Sequence, residues 1–466
     1  NFNFLFNINK RYFYIKKNIY ENLEFEELVE LEWLKENKNL FLEIFSPWHK
    51  EDEDGGLIKN FVDQIDKQDF AKDFSWLNIL DKDRQWEESG VEEIKKEVKD
   101  KSKHVNMRYQ IPTHFHGDID NAVIFHCMEN PRGYLGSYGD NQIDSGFGET
   151  NLKEYYGKSY KLLNEDNSKR KTIKKIKSIL RAYSEDKDVK EIIQERYQLE
   201  ENAKEEISIE HIKKIIYSDT ESALGREINH IYRKNKSEEF CNFDFENEEQ
   251  KSKTVLLKDY YYLKEYYSHL IQTNQKLDFK KLKGMKGKVT AIAKKICNLE
   301  IYPFSCAQPK LAEEGVGENI LLHSNLSRLG AYIILRRIYM YLSKEKHTEK
   351  PIFVFRKYNI AWEKLFSRIF SKITTGDYNT KEVMKILEKK FFYCQLRPVG
   401  GGITSGNVIS VPNYNKYLEL KSDSLKNELE LGKKYKKWKE EAFKEISDLL
   451  PRIDIDKINV KESGNE

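Results

Sequence analysis

Apolar and polar positions change rhythm several times along the chain, and each change marks a different kind of element. Residues 1 to about 105 repeat acidic and apolar positions at helical spacing ("EFEELVELEWLKENKNLFLEIF"), interrupted by polar breaks such as "EDEDGG" (Glu51 to Gly56). This pattern predicts a mostly helical accessory region. From about 106 the texture becomes a short strand-like run, "NAVIFHCM" (Asn121 to Met128), which ends abruptly on Glu-Asn-Pro-Arg-Gly and enters the Gly-rich loop "GYLGSYGDNQIDSGFG". A long loop of that kind in a compact fold is more often functional than decorative.

Residues 150 to about 290 are again charged and helical. They include "KDYYYLKEYYSHLIQ", whose aromatics recur at three- and four-residue steps and are read as core packing, not as a base-stacking platform. Three further apolar runs follow: "KICNLEIYPF" (Lys295 to Phe304), "KPIFVFRKY" (Lys350 to Tyr358) and "KKFFYCQLRP" (Lys389 to Pro398). Between them lie two helices, "SNLSRLGAYIILRRIYMYLS", with Ser324 or Asn325 as its cap, and "NTKEVMKILEKK". The tail from about 411 to 466 reads as a charged surface helix.

Short apolar strands separated by helices predict an α/β fold with a parallel sheet covered on both faces. Ligands of such sheets bind where the strand C-termini gather. Three of the four strand ends carry a proline-bearing polar turn: "ENPRG", "EIYPF" and "LRPVGGGITSGN". One such ending is an ordinary exit from a strand; three on one rim form a constellation.

Composition narrows the partners. In 466 residues, 80 basic side chains nearly balance 77 acidic ones, a net charge of +3, so a partner must be read from local clusters. Two basic clusters occur, "SKRKTIKKIK" (Ser168 to Lys177) and the lysines from Lys276 to Lys295. They read as solvated helix faces or, alternatively, as phosphate contacts. Cys127, Cys241, Cys297, Cys306 and Cys394 show no CxxC spacing, which argues against a zinc ribbon or disulfide scaffold and fits a reducing cytoplasm. No apolar stretch nears the roughly 18 residues needed to span a bilayer, and no export signal opens the sequence. A cytoplasmic location is expected. His114, His116 and His126 lie close in sequence to Asp118 and Asp120, and a metal held by His114 and His116 is the minority reading, since no second ligand cluster appears. "GGGITSGN" is not a nucleotide-hydrolysing loop, because no Gly-Lys-Ser/Thr follows.

In order and character these turns resemble the uracil-DNA glycosylase superfamily. Asn130-Pro131 in "MENPRGY" matches that superfamily's Asp/Asn-Pro turn after the first strand, Glu300 in "CNLEIYPF" stands near its base-reading position, and "LRPVGGGITSGN" matches its His-Pro-Ser-like loop. The match covers roughly 106–150 and 290–410. It departs at Met128 where a Gly would stand, at Glu300 for Asn, and at Arg397 for His, so uracil is not the expected base.

The resemblance implies a central four-stranded parallel sheet flanked by helices, with large helical additions: an accessory region at 1–105, a glycosylase-like core at 106–410 interrupted by a basic helical insertion at about 151–290, and a C-terminal helix at 411–466. It implies a monofunctional DNA glycosylase, without cofactor or metal, whose partner is double-stranded DNA bearing modified bases; no membrane and no obligatory protein partner are expected. Cleavage requires a positioned water and a flipped base. Asn130 is the favoured holder of that water, with Glu129 the competing candidate. Glu300 is read as accepting from the exocyclic amino group of a cytosine-type base, or else as a strand-end carboxylate paired with a cation. Tyr134 and Phe147 are candidate stacking rings or loop anchors, and His323 enters from the helix side or packs. Arg132 and Arg397 are candidates for phosphate or leaving-base contact. Gly401, Thr404, Ser405 and Asn407 provide loop contacts to DNA, and Ile403 is the candidate wedge. Ordinary cytosine cannot be the target of a host enzyme, which leads to a modified cytosine such as phage DNA carries, and to a role in antiviral defence. The alternatives are a non-catalytic nucleic-acid-binding protein on the same fold and a metal-dependent nuclease built on the 114–120 cluster.

Overall fold

The computed structural model describes residues 34, 37–46, 48–49, 114–129, 221–225, 228, 262–271, 285–303, 318, 321–322, 325–343, 349–373, 380–397, 401–423 and 428–451. In chain order these hold helix α1 (Lys38–Phe45), strands β1 (Phe115–His116) and β2 (Ile124–Met128), a π-helical turn at Tyr262–Tyr266 running into α2 (Ser268–Ile271), then α3 (Lys286–Lys294) and β3 (Ile296–Glu300). After them come α4 (Asn325–Ser343), β4 (Ile352–Arg356), a second π-helical turn at Tyr358–Trp362, α5 (Glu363–Ile373), α6 (Thr380–Phe391), β5 (Phe392–Gln395), β6 (Val408–Ser410), α7 (Val411–Asp423) and α8 (Glu428–Ser447).

The strands form one mixed sheet in the order β1-β3-β2-β4-β5-β6. Its four inner strands are parallel, and the short edge strands β1 and β6 run antiparallel to them. The inner strands read as apolar runs because both faces are covered. β1 and β6, of two and three residues, are too short to show any alternation, and the edges they add were not expected from the sequence.

Register and strand alternation sort the side chains onto two unlike faces. One face carries Phe125, Cys127, Cys297, Leu299, Phe353, Phe355, Phe392 and Cys394. It is wholly apolar and packs on α5 and the second π turn: Phe355 lies 5.3 Å from Trp362, and Phe366 lies 5.4 Å from Phe392, ring centre to ring centre. Helix α4 comes close over the same face through Gly330, where a Cβ would stand 3.1 Å from Trp362 Cη2 and 3.4 Å from the Glu300 carbonyl oxygen. The opposite face begins apolar with Ile124, Ile296 and Ile352 and turns polar toward the strand C-termini, with His126, Asn298, Glu300, Arg356 and Gln395.

The N-terminal edge of the sheet is tied down by two successive buried arginines of α4. Arg336 grips Asp120 with two bonds of 2.8 and 3.0 Å and donates to the Leu34 carbonyl at 2.7 Å. Arg337 reaches the carbonyls of Ala122 at 3.0 Å and Glu349 at 2.7 Å. Helix α1, capped by the Asn37 side chain on Leu40 N–H, buries Phe41, Leu42 and Phe45 in the same apolar core, with Phe45 4.7 Å from the Tyr332 ring. At the far end of the chain the tail forms two helices. Ala442 and Ile446 of α8 are buried and Glu445 accepts from the Tyr393 hydroxyl, while the C-terminal half of α7 is exposed. Among the described residues no helix is long and apolar enough to cross a membrane.

Candidate functional site

The polar half of the sheet face is covered by the first π turn. Its widened ring, closed by Tyr267 N–H on the Tyr262 carbonyl at 3.0 Å, lets the consecutive residues Tyr266 and Tyr267 both lie against His126, at 5.1 and 5.7 Å between ring centres. An α-helix would swing adjacent side chains about 100° apart, and π turns of this kind recur at functional sites. These tyrosines do pack in the core, as their spacing suggested, and they also bring two hydroxyls to the polar row.

The Tyr267 hydroxyl joins a directed chain of hydrogen bonds. Asn298, fully buried, accepts the Ala223 backbone N–H at its Oδ1 (3.3 Å) and donates from Nδ2 to the Tyr267 hydroxyl (2.6 Å). The Tyr267 oxygen lies 3.1 Å from His126 Nδ1, and His126 Nε2 lies 2.9 Å from Gln395 Oε1. Gln395 in turn donates from Nε2 to the Gly401 carbonyl. Backbone groups at both ends orient the two amides, so only one direction satisfies every member: His126 is neutral with its proton on Nε2, and Tyr267 donates to Nδ1. Burial, helped by the nearby Arg356 charge and opposed by the bond to Gln395, pushes the His126 pKa down to about 3. Burial likewise raises the Tyr267 phenol well above its usual value, so it stays protonated.

Above this chain, at the strand C-termini, lie four ionisable residues. Glu300 ends β3 beside Met128 of β2, and Arg356 ends β4 beside Gln395 of β5. Glu129 and Lys357 are the first residues past β2 and β4. Lys357 is held in the left-handed region (φ 52°, ψ 45°), and among the described residues no other non-glycine has a positive φ. Its ammonium reaches Glu129 Oε2 at 2.7 Å. Strain of that sort, of order 1–3 kcal/mol, clusters at functional sites. Arg356 lies over the Tyr266 ring, 5.3 Å from its centre, and donates to its hydroxyl at 3.1 Å.

Glu300 differs from the others. Its side chain is buried (1% exposed), its Oε2 has no hydrogen-bond partner, and among the described residues it closes no ion pair. Burial raises its pKa well above the usual carboxylate range; Arg356 opposes that rise and the Glu129 charge adds to it. Burial therefore favours the protonated, neutral form of Glu300. The pairing with a cation that its position at a strand end allowed is instead made by Glu129.

The loop after β5 holds another correction. Ile403 is not a surface wedge: it is fully buried, and its N–H donates to the Tyr266 carbonyl at 2.9 Å, which folds the loop back onto the π turn. Asn407 is buried as well. Its Oδ1 accepts from Arg397 N–H and its Nδ2 donates to the Gly402 carbonyl, at 2.9 and 2.8 Å, so its side chain closes the loop from inside instead of standing on the surface where a DNA contact was expected. Gly401 takes φ +118°, a backbone state that favours glycine. Arg397 and Ser405 are exposed and Thr404 is half-buried, so these three remain at the rim. Asn130, Arg132, Tyr134, Phe147 and His323 lie outside the described residues, as do the Gly-rich loop and most of the insertion.

The histidine cluster does not assemble a ligand set. His114 accepts the Trp48 indole N–H at 2.9 Å, Asp118 caps its own turn by accepting the N–H groups of Asp120 and Asn121, and Asp120 is held by Arg336. His116 and His126 lie on strands separated by β3. Among the described residues no group of three His, Cys, Asp or Glu side chains could hold a metal ion.

Sequence reasoning singled out Glu129 and Glu300 but missed Arg356, Lys357, Asn298, Gln395, Tyr266 and Tyr267. The available signal was a lone polar residue, repeated at the same parity, near the C-terminal end of each apolar run. Neither a protein-family description, nor a curated protein, nor a solved structure matches this chain.

Proposed function

We propose that the protein is a DNA glycosylase that hydrolyses the N-glycosidic bond of a flipped, modified, cytosine-derived base and leaves an abasic site, as a defence against phage with modified DNA. The observation that carries this reading is Glu300: a buried carboxyl with an unused oxygen, set among a paired carboxylate and two cations at the C-terminal edge of parallel strands. Four inner parallel strands, with "ENPRG" following β2 in the sequence, support that reading through the resemblance to the uracil-DNA glycosylase superfamily.

The chemistry asks for a water on one side of the sugar carbon and relief of negative charge on the departing base. Asn130, the amide favoured for holding the water, directly follows Glu129, the competing carboxylate, in the sequence. Lys357 and Arg356 supply positive charge within the same rim. A buried carboxyl can pair with the hydrogen-bonding edge of an extruded base, whose extrusion itself costs a few kcal/mol.

The test is direct. The protein is incubated with unmodified and cytosine-modified duplexes in EDTA, the small molecules are identified by mass spectrometry, and the DNA is treated with alkali. Release of a free modified base together with alkali-labile sites is the expected result. Binding without release would leave a nucleic-acid-binding protein, and product that vanishes in EDTA would point to a metal-dependent hydrolase.

A further inference from the structure

We propose that Glu300 is the acid that protonates the departing base, while Glu129, anchored by Lys357, takes the proton of the attacking water. The proposal rests on the glycosylase reading and goes further, because it turns base recognition into catalysis and predicts which bases can leave.

The geometry places two carboxyls in opposite surroundings on neighbouring strand ends. Strands β2 and β3 lie side by side, about 4.8 Å apart at usual spacing, with Met128 and Glu300 in register, so Glu129 is one residue beyond the level of Glu300. Glu129 has an ammonium at 2.7 Å. Glu300 has no such partner, and its Oε2 is sealed from water without a hydrogen bond. Burial without a partner favours the protonated form of Glu300, while Glu129 is already engaged by the lysine ammonium. Neighbouring carboxyls in such unlike surroundings can divide into an acid and a base. The left-handed backbone at Lys357 directs that lysine to Glu129.

A neutral acid also changes how the base is read. Its C=O and O–H can pair with an amino group and a ring nitrogen, and equally with a carbonyl and a ring N–H, so hydrogen bonding alone no longer excludes uracil. Proton transfer does. In a cytosine-type ring N3 carries a lone pair, so the Glu300 O–H can donate to N3 while its carbonyl oxygen accepts from the exocyclic amino group. As the C1′–N1 bond breaks, its electron pair passes into the ring, the Glu300 proton moves to N3, and the base leaves as a neutral N3–H tautomer. Water forms the new C1′–O bond and its proton passes to Glu129. The cycle closes when Glu129 loses that proton to solvent and Glu300 regains one. A uracil-type ring already bears hydrogen on N3 and cannot accept there, so the preference lies in the rate of the chemical step.

The ionisable groups around Glu300 are Glu129, Arg356, Tyr267 and Cys127. Each of the two charged ones gives a signature beyond simple loss of activity. Base release is followed in single turnovers across pH, on duplexes carrying 5-substituted cytosines of graded leaving ability. E300Q is expected to slow release by about 10²–10⁴-fold, the usual share of a general acid, while DNA affinity stays within a few-fold. Its loss should be largest for the poorest leaving groups. In wild type, release falls with rising pH as Glu300 ionises; E129Q moves that limb to lower pH by removing a negative neighbour, and R356Q moves it to higher pH by removing a positive one. E300Q at the wild-type rate, or an equal loss on every leaving group, overturns the assignment while leaving the glycosylase reading intact. Unshifted limbs in both E129Q and R356Q overturn it as well. If wild type releases no base from any duplex, the glycosylase reading itself has failed.

Discussion

Acid should unfold this protein partly through a single ring. His126 is fully buried, with a pKa lowered to about 3, whereas the same ring titrates near 6.5 when unfolded. Below 6.5 the unfolded chain therefore binds a proton that the folded chain refuses, so stability rises with pH across this window and is lost as pH falls from 6.5 toward 3. Between about pH 7 and about pH 5 the unfolded ring takes up nearly one proton and the folded ring almost none, which integrates to a loss of about 2 kcal/mol at about 1.4 kcal/mol per unit. Carried down to pH 3 the loss reaches about 4 kcal/mol. His49, also lowered to about 3 by burial, His114 and Lys38, adds a loss of the same sign, so the His126 share must be isolated by difference. Urea unfolding of wild type and His126→Gln, followed by tryptophan fluorescence at both pH values, supplies that difference. The variant starts less stable but should lose about 2 kcal/mol less than wild type on acidification. Equal losses in the two proteins, or a His126 ring seen by NMR to titrate near 6.5 in the folded state, would refute the neutral, Nε2-protonated ring and with it the direction of the whole chain from Asn298 to Gly401.

Three substitutions test the frame around the site. Arg336→Met strands Asp120 in the core without its two bonds and should cost about 3–5 kcal/mol, read by urea midpoint; adding Asp120→Asn should recover part of it. Gly117→Ala puts a Cβ 2.7 Å from the Ile296 carbonyl oxygen at φ +123°, so a loss of at least about 2 kcal/mol is expected in the same assay. Ile403→Ala should cost about 2–5 kcal/mol of stability as a core truncation and leave affinity for duplex DNA unchanged by fluorescence anisotropy; the reverse pattern would restore Ile403 as a surface wedge.

The four parallel strands and helices α4 and α6 were legible because each buries an uninterrupted or strongly periodic apolar set. The glutamates at 129 and 300 were legible as the polar residues on which two of those runs stop. The rest of the site was not, for reasons of register. His126, Asn298 and Gln395 are single polar letters inside apolar words, and only the pairing of β2 with β3 and of β4 with β5 shows that they share a face. The π turn escapes any search for a 3.6-residue period, so two tyrosines nineteen and twenty residues before α3 gave no sign that both lie on a strand histidine. Ile403 misled because an apolar residue in a Gly-rich loop looks exposed until its long-range partner is known, and that partner is the Tyr266 carbonyl.

Two buried acids at opposite edges of one sheet separate structure from function in this fold. Asp120 at the N-terminal edge receives a two-bond arginine fork, so its burial is explained by what it holds together. Glu300 at the C-terminal edge is more deeply buried, yet one of its oxygens has no partner, although arginine, lysine and two tyrosine hydroxyls are gathered on the same rim. Each nearby group is committed elsewhere in a particular direction: Lys357 to Glu129, Arg356 to Tyr266, Tyr267 to His126. A chain that can place a guanidinium on Asp120 can place one on Glu300. Leaving it bare costs of order 1–3 kcal/mol for an unsatisfied buried group, a cost that packing does not require and that a ligand's hydrogen-bonding edge would offset.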